Sequence, residues 1–208
     1  MSIEQNPIAL AITGASGSAY ALRLLKCLVQ AGEQVYVMIT QAAQVVLRME
    51  SGLEIPSQPS EAARLLTEYC SAAPQQIQVF GRQQWMAPVA SGSNPPRAMV
   101  VCPCTTGSLS AIACGASNDL MERAADVVLK ERRKLILVVR ETPFSDIHLQ
   151  HMLTLSRMGA VIMPANPGFY HQPRSVEDIV DFMVARILDQ LGVEHQLMTR
   201  WGSDQPQA

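Results

Sequence analysis

The chain has 208 residues, of which 48% are hydrophobic and 16% are charged, and its formal net charge is −2. This length suits one domain with a sizeable core, and the charge provides no basic surface for nucleic acid. No apolar run is long enough to span a membrane, and Met1 to Pro7 do not form a signal peptide, so we expect a cytoplasmic protein without membrane insertion. The five cysteines form no CxxC pair, which favours reduced thiols.

The first recognisable pattern is an apolar run, Ile8 to Thr13, that stops in the glycine- and serine-rich stretch Gly14 to Ser18. Residues 19–29 follow with apolar side chains at helical spacing. A strand, a glycine turn and a helix in this order point backbone N–H groups and a helix N-terminus at a phosphate, and Ser16 and Ser18 add hydroxyls. The spacing is neither GxGxxG nor that of an NTPase P-loop. A tight turn without a ligand is the alternative interpretation.

Strands and helices alternate along the rest of the chain. Further strands are predicted over 34–39, 77–80, 98–102, 135–139 and 160–163, and helices over 41–50, 61–70, 109–115, 119–131, 148–158 and 175–191. In the helix over 41–50, Val45, Val46 and Met49 are predicted to face inward. The alternation predicts an α/β fold with a doubly wound, mainly parallel sheet, a Rossmann-like or flavodoxin-like three-layer sandwich. We expect residues 1–208 to form one domain, with a tail over about 193–208.

Polar residues follow several of the predicted strands. Ligands of such sheets bind beyond the carboxyl ends of the strands, so these residues should share one crevice. Rich in hydroxyls and backbone donors, with an arginine at its rim, this crevice suits a mononucleotide. Its members are Gly14 to Ser18, Thr40, Thr105 to Ser108, Arg140, Glu141 and Asn166 to Tyr170.

No metal site is predicted. His148 and His151 lie one helical turn apart without an obvious third ligand. The acidic stretch Glu177 to Asp181 superficially resembles a magnesium-binding motif, but it opens the last helix behind Ser175, where acids cap the chain and complement its dipole.

Four stretches together carry a family resemblance: TGASG at 13–17, RAADVVLKERRKLILVVRETP at 123–143, GAVIMPANPGFYHQP at 159–173 and ARILDQLG at 185–192. With them the chain resembles the UbiX family of flavin prenyltransferases. The resemblance implies transfer of a dimethylallyl group from dimethylallyl monophosphate to N5 and C6 of reduced FMN, without a metal. It also implies that the product, prenylated FMN, serves a UbiD-type decarboxylase, that ubiquinone biosynthesis is the usual setting, and that the protein is a homo-oligomer, as a rule a dodecamer.

The resemblance also assigns residues. FMN contacts would be Gly14, Ala15, Ser16, Thr40, Thr105, Thr106, Gly107, Ser108 and Arg140. The allyl phosphate would meet Lys130, Tyr170 and Arg186, with Arg123 nearby. Polar groups close to the reacting atoms would be Ser16, Glu50 and Glu141, and Trp201 in the tail would fold over the site as a lid.

The chemistry of these residue types agrees with the implied reaction. Ionising an allylic C–O bond places negative charge on the departing phosphate, which Lys130, Arg186 and the Tyr170 hydroxyl can stabilise. Glu50 or Glu141, relayed by Ser16, could manage the flavin N5 proton. Two alternatives stay open: an FMN-dependent decarboxylase acting directly on an aromatic acid, and a non-catalytic FMN carrier.

Overall fold

The computed structural model describes residues 6–198. Its six strands form one sheet in which every neighbouring pair is parallel. In chain order the strands are β1 (Ile8–Ile12), β2 (Val35–Ile39), β3 (Ile77–Phe80), β4 (Ala98–Cys104), β5 (Lys134–Val139) and β6 (Val161–Ile162). Across the sheet the order is β3-β2-β1-β4-β5-β6, which matches the Rossmann arrangement and confirms the doubly wound α/β prediction.

Helices cover both faces of the sheet. One face packs against α1 (Ser18–Gln30), α2 (Gln41–Ser51), α3 (Pro59–Cys70) and α7 (Val176–Leu191). The other face packs against α4 (Thr106–Ala113), α5 (Leu120–Lys130) and α6 (Asp146–Arg157). Consecutive residues of a strand point to opposite faces, so Leu10 of β1 joins the first layer while its neighbours Ala9 and Ala11 join the second. The central strands are apolar throughout because both of their faces are buried.

The inward face of α2 differs from the prediction. Ala43 and Leu47 are buried, whereas Val45 is 47% exposed and Met49 is 77% exposed. Val46 is half-buried. The inward face of α2 is therefore centred on Ala43 and Leu47, four residues apart, and the prediction for Val45 and Met49 is wrong.

Side chains cap α5 and α7. Asp119 accepts from the Glu122 amide at 2.9 Å and begins α5. Ser175 begins α7 in a capping box with Asp178. The hydrogen bond from the Arg174 amide, followed by those from Ser175, holds the pKa of Asp178 below its usual range. This acidic stretch therefore caps a helix, as predicted.

Two edges of the sheet are used below. The carboxyl edge is where the strands end, next to the first residues of α1, α2 and α4; the amino edge is where the strands begin. Helices α1 and α7 run side by side from the carboxyl edge to the amino edge, joined by a two-point ion pair between Arg23 and Asp181 at 2.6 and 3.0 Å. Across the described residues, no helix is long and apolar enough to cross a membrane.

Candidate functional site

The loops that follow β1 and β4 are tied together by Thr13, where the strand order reverses direction. Thr13 is buried; its hydroxyl donates to the Pro103 carbonyl at 2.7 Å and accepts from the Thr105 amide at 2.9 Å. Ligands of open parallel sheets bind at such a switch point. Sequence reasoning did not single out Thr13, although a threonine directly after a buried strand was an available signal.

Two glycines shape the turn between β1 and α1. A Cβ built on Gly14 would lie 2.4 Å from the Cβ of Ala42, so the turn can approach α2 only without a side chain. Gly17 has a φ of 107°, in the left-handed region that favours glycine. The turn is thus held tightly against α2 at the carboxyl edge.

The N-terminus of α1 is already occupied by a carboxylate of the protein. Glu50, near the end of α2, accepts from the Gly17 amide at 3.0 Å and from the Ser18 amide and hydroxyl, each at 2.8 Å. Partial burial by itself raises the Glu50 pKa, but hydrogen bonds from the Ser16 side chain, from Ser18 and from Gly17 outweigh it and lower the pKa. Glu50 therefore supplies the anion that the Gly17 and Ser18 donors meet in this structure, and phosphate binding by the turn over 14–18 stays a prediction.

The hydroxyls of Thr40 and Thr105 begin the two neighbouring helices. Thr40 accepts from the Ala43 amide at 3.2 Å and caps α2. Thr105 accepts from the Ser108 amide at 3.1 Å, donates to the Ser108 hydroxyl at 2.9 Å and caps α4. The first-turn amides of a helix have no partner within the helix. Thr106 and Gly107 at the start of α4 therefore present backbone donors at the carboxyl edge.

Arg140 carries a buried donor that has no partner among the described residues. Its amide donates to the Cys104 carbonyl at 3.1 Å, which places Arg140 beside the Thr105 loop. Its guanidinium Nε is buried and makes no hydrogen bond within residues 6–198. A buried guanidinium N–H without an acceptor is costly, and a ligand oxygen or nitrogen would satisfy it. This donor fits the flavin that the sequence assigns to Arg140.

A cavity of about 240 Å³ opens at the same edge. Thr40 and Ala42 line it from α2, Phe80 and Arg82 line it from the end of β3, and Asp119 lines it from the start of α5. Thr40 therefore faces space that a ligand can enter, next to the turn that contains Gly14.

Tyr170 lies in the loop between β6 and α7, also at the carboxyl edge, and is 83% exposed. Phe182 of α7 holds this loop in place. The rings of His171 and Phe182 stack at 5.4 Å between centroids, with 9° between their planes. A Cβ built on Gly168 would lie 3.0 Å from Phe182, so the loop packs directly on this ring. Phe182 was not identified as part of the site from the sequence, because the pattern around it indicated only an apolar position in a helix.

Two of the predicted cations lie along α5. Arg123 donates to the Ala90 carbonyl at 3.1 Å and to Asp126 at 2.7 Å, so it is engaged with its own subunit. Lys130 is the last residue of α5, four residues before β5 begins, and pairs with Glu131 at 2.5 Å. Because a helix that leads into a strand ends at the amino edge, Lys130 is remote from Gly14 and Arg140 of its own chain.

Arg186 also lies toward the amino edge. It is about 15 Å along α7 from Val176, at the rise of an α-helix. The end of α7 contacts the beginnings of strands, since the Leu191 carbonyl accepts from Arg97, directly before β4, at 3.4 Å. Lys134, the first residue of β5, likewise donates to the Gln190 carbonyl.

The structure therefore divides the predicted site residues into two groups. The carboxyl edge brings together the FMN set with Glu50, Glu141 and Tyr170. Lys130 and Arg186 lie at or toward the other edge, so one chain alone does not place them around the same crevice as Tyr170. Trp201 and most of the predicted lid lie outside the described residues.

Glu141 is the carboxylate that remains available at the carboxyl edge. It directly follows Arg140, is partly buried, and accepts from the Thr142 amide at 3.0 Å. Unlike Glu50, it does not cap a helix. Within the described part of the chain, no three His, Cys, Asp or Glu side chains come together in a way that could hold a metal ion.

Comparison with known proteins agrees with this geometry. A family model described as Flavoprotein matches residues 1–188. The flavin prenyltransferase UbiX of Pseudomonas aeruginosa is 61% identical over 195 residues, which cover 94% of this chain and 93% of that protein. AnUbiX (PadA1), solved in complex with FMN and dimethylallyl pyrophosphate, has a TM-score of 0.84 at 36% identity, covering 97% of this chain and 100% of that chain.

A second solved structure is described as a dodecameric FMN-dependent UbiX-like decarboxylase from Escherichia coli O157:H7. It has a TM-score of 0.83 at 36% identity and covers 95% of this chain and 100% of that one. Fold and family model together define a flavoprotein built on a doubly wound parallel sheet. The chain belongs to the UbiX family of flavin prenyltransferases.

Proposed function

We propose that this protein joins a dimethylallyl group to N5 and C6 of reduced FMN and releases prenylated FMN. The observation that carries the proposal is the 61% identity to a flavin prenyltransferase over nearly the whole chain. The carboxyl edge supports it independently, because it offers a buried Arg140 donor without a partner among the described residues, after β5, and a cavity lined by Thr40, after β2.

FMN would be held by residues of the carboxyl edge. The Arg140 guanidinium would donate to a flavin acceptor, and the first-turn amides and hydroxyls of α4 would bind polar atoms of the ligand. The turn over 14–16 would contact FMN through its backbone, since the Ser16 side chain is hydrogen-bonded to Glu50. When bound, reduced FMN supplies the nucleophilic positions of the reaction.

The phosphate of the allyl donor would be held by Tyr170, Lys130 and Arg186, with Arg123 nearby. As the allylic C–O bond ionises, two cations and a hydroxyl would stabilise the charge that gathers on the leaving group. A monophosphate carries less charge than a diphosphate, so side-chain cations can stabilise it without a metal. We therefore propose dimethylallyl monophosphate as the donor. AnUbiX was solved with the diphosphate, which makes the two donors the first pair to compare.

Bringing Lys130 to Tyr170 requires a second subunit. Within one chain the two residues lie at opposite edges of the sheet. We propose a homo-oligomer, a dodecamer like the related Escherichia coli protein, in which neighbouring chains complete each site. The recipient of the product would be a UbiD-type decarboxylase.

Glu141 is the proposed proton acceptor at N5. The Glu50 carboxylate is tied to the N-terminus of α1 and its pKa is lowered, which makes it a poor base and a good anchor for Ser16.

The decisive experiment measures the mass of the flavin released after anaerobic incubation with reduced FMN and dimethylallyl monophosphate in the presence of EDTA. We expect a gain of one five-carbon unit. Tyr170→Phe and Lys130→Ala should slow this gain while FMN stays bound. Unmodified flavin from the parent protein would contradict the proposal, and dependence on added magnesium would contradict its metal-free form.

Direct decarboxylation is the second candidate, because the related Escherichia coli protein is described as a decarboxylase. Incubating the FMN-loaded protein with aromatic acids tests it. Loss of carbon dioxide without any partner protein would favour this candidate, and its absence together with prenylated flavin would exclude it.

A further inference from the structure

Arg186 is the first member of a chain of three linked side chains. Its Nη1 donates to Oδ2 of Asp189, one turn further along α7, at 2.6 Å. The other oxygen of the same carboxylate, Oδ1, lies 3.1 Å from Nε2 of His195, in the segment that follows the helix. The His195 side chain is only 11% exposed, whereas that of Arg186 is 52% exposed. The chain thus runs from a nearly buried imidazole to an exposed guanidinium.

Two contacts orient the imidazole. Nδ1 of His195 lies 3.4 Å from the Leu197 amide nitrogen, and Nε2 is the ring nitrogen that faces Asp189. An ionised carboxylate can only accept, so Nε2 must donate to Asp189. His195 is therefore held on both sides and fixes the orientation of Asp189.

The segment with His195 runs back along α7 after the helix ends. Leu197 and Met198 line a cavity with His171 and Asp178, which belong to the other end of the helix. The chain therefore passes alongside Asp189 on its way from the amino edge toward the carboxyl edge. His195 connects this segment to the helix beside Arg186.

Without His195, Asp189 would restrain the orientation of the Arg186 guanidinium only weakly. An ion pair between exposed side chains one turn apart is weak and mobile because water competes for both partners. With Oδ1 engaged by His195, the carboxylate offers Arg186 one oxygen in one direction. Arg186 uses Nη1 for that contact, which leaves Nη2 and Nε to form a two-point contact with an oxyanion.

We propose that Asp189 and His195 are positioning residues that orient the Arg186 guanidinium toward the phosphate of the allyl donor. This inference rests on the proposed function, in which Arg186 binds that phosphate. In this role neither residue needs to contact the flavin or the donor. Both act through Arg186.

The test compares the steady-state kinetics of the full-length parent protein with those of full-length variants at positions 189 and 195. His195→Ala and Asp189→Asn should each raise KM for dimethylallyl monophosphate by about tenfold, the effect of misplacing one charged contact, while the Kd for FMN is unchanged. His195→Gln keeps a donor near the place of Nε2 and should remain close to the parent. Glu194→Gln, which alters the exposed neighbouring carboxylate, is the matched control and should behave as the parent.

A double-mutant cycle tests the route of the effect. If His195 acts through Arg186, His195→Ala should add nothing to the KM of Arg186→Ala. Three results would overturn the inference: additive effects of the two substitutions on KM, an unchanged KM for the donor in His195→Ala, or an equal loss of FMN affinity. If the parent protein still prenylates flavin, the proposed function would stand in each of these cases. A parent protein that does not prenylate flavin would overturn both.

Discussion

Gly14 and Ala42 are in such close contact that a Cβ on Gly14 would lie 2.4 Å from the Cβ of Ala42. The contact joins the turn after β1 to the first turn of α2, and Ala42 also lines the cavity at the carboxyl edge. A side chain at position 14 must therefore push the two apart.

Gly14→Ala should lower the free energy of unfolding by about 1–3 kcal/mol, the usual cost of overpacking. The double variant Gly14→Ala/Ala42→Gly removes the colliding atom and should recover part of this loss, beyond the sum of the single effects. Urea unfolding at one fixed protein concentration measures both, because assembly contributes to stability. Strictly additive losses would show that the collision is not the cause.

Glu50→Gln should destabilise the protein at pH 7 by about 1 kcal/mol, since it replaces an ionised cap of α1 by a neutral amide. The folded pKa of Glu50 is lowered, so its stabilisation is present above the unfolded value near 4.3 and is lost as the pH falls through the folded value. The difference between parent and variant should therefore close on acidification. Exposed Glu54 provides the control variant Glu54→Gln, and a difference that widens at low pH would contradict the assignment.

Arg140→Met should weaken FMN binding by about tenfold or more, because a charge-assisted contact is lost. The flavin-free protein should be no less stable than the parent, since the substitution removes a buried donor that lacks a partner among the described residues. Arg140→Lys keeps the charge without the planar guanidinium and should bind FMN only partly better than the methionine variant. Flavin titration and urea unfolding give the two measurements, and a marked loss of stability without flavin would count against the ligand role.

Lys130→Ala and Tyr170→Phe should complement each other in mixed oligomers. If each site takes these residues from two different chains, random mixing of the two slowed variants restores about a quarter of the sites to parent composition. Co-expression followed by the prenylation assay measures the recovered activity, and each variant expressed alone is the control. Activity no higher than that of either variant alone would mean that one chain supplies both residues.

The architecture and much of the carboxyl edge could be predicted because their signals are local. An apolar run followed by glycine predicts a strand and a turn. A serine three residues before an acid predicts a helix cap, as Ser175 and Asp178 illustrate. The contacts across the chain had no such signal. Glu50 caps a helix that begins 32 residues earlier, and the motif around it does not reveal which amides it meets.

The edge at which a side chain emerges is likewise a property of the assembled sheet. The family resemblance groups Lys130 with Tyr170, but spacing along the chain does not report that α5 ends at the amino edge. The rotation of α2 was mispredicted for a related reason. Several faces of α2 carry apolar side chains, and only its packing on the sheet selects the face of Ala43 and Leu47.

The internal anion at the start of α1 has a consequence for turnover. Under the proposed function the modified flavin leaves in every cycle, unlike a cofactor that stays bound. A helix N-terminus that is capped by such a ligand would lose its cap at each release. Glu50 caps α1 from within the chain, through Gly17 and Ser18, so this cap would not depend on the flavin.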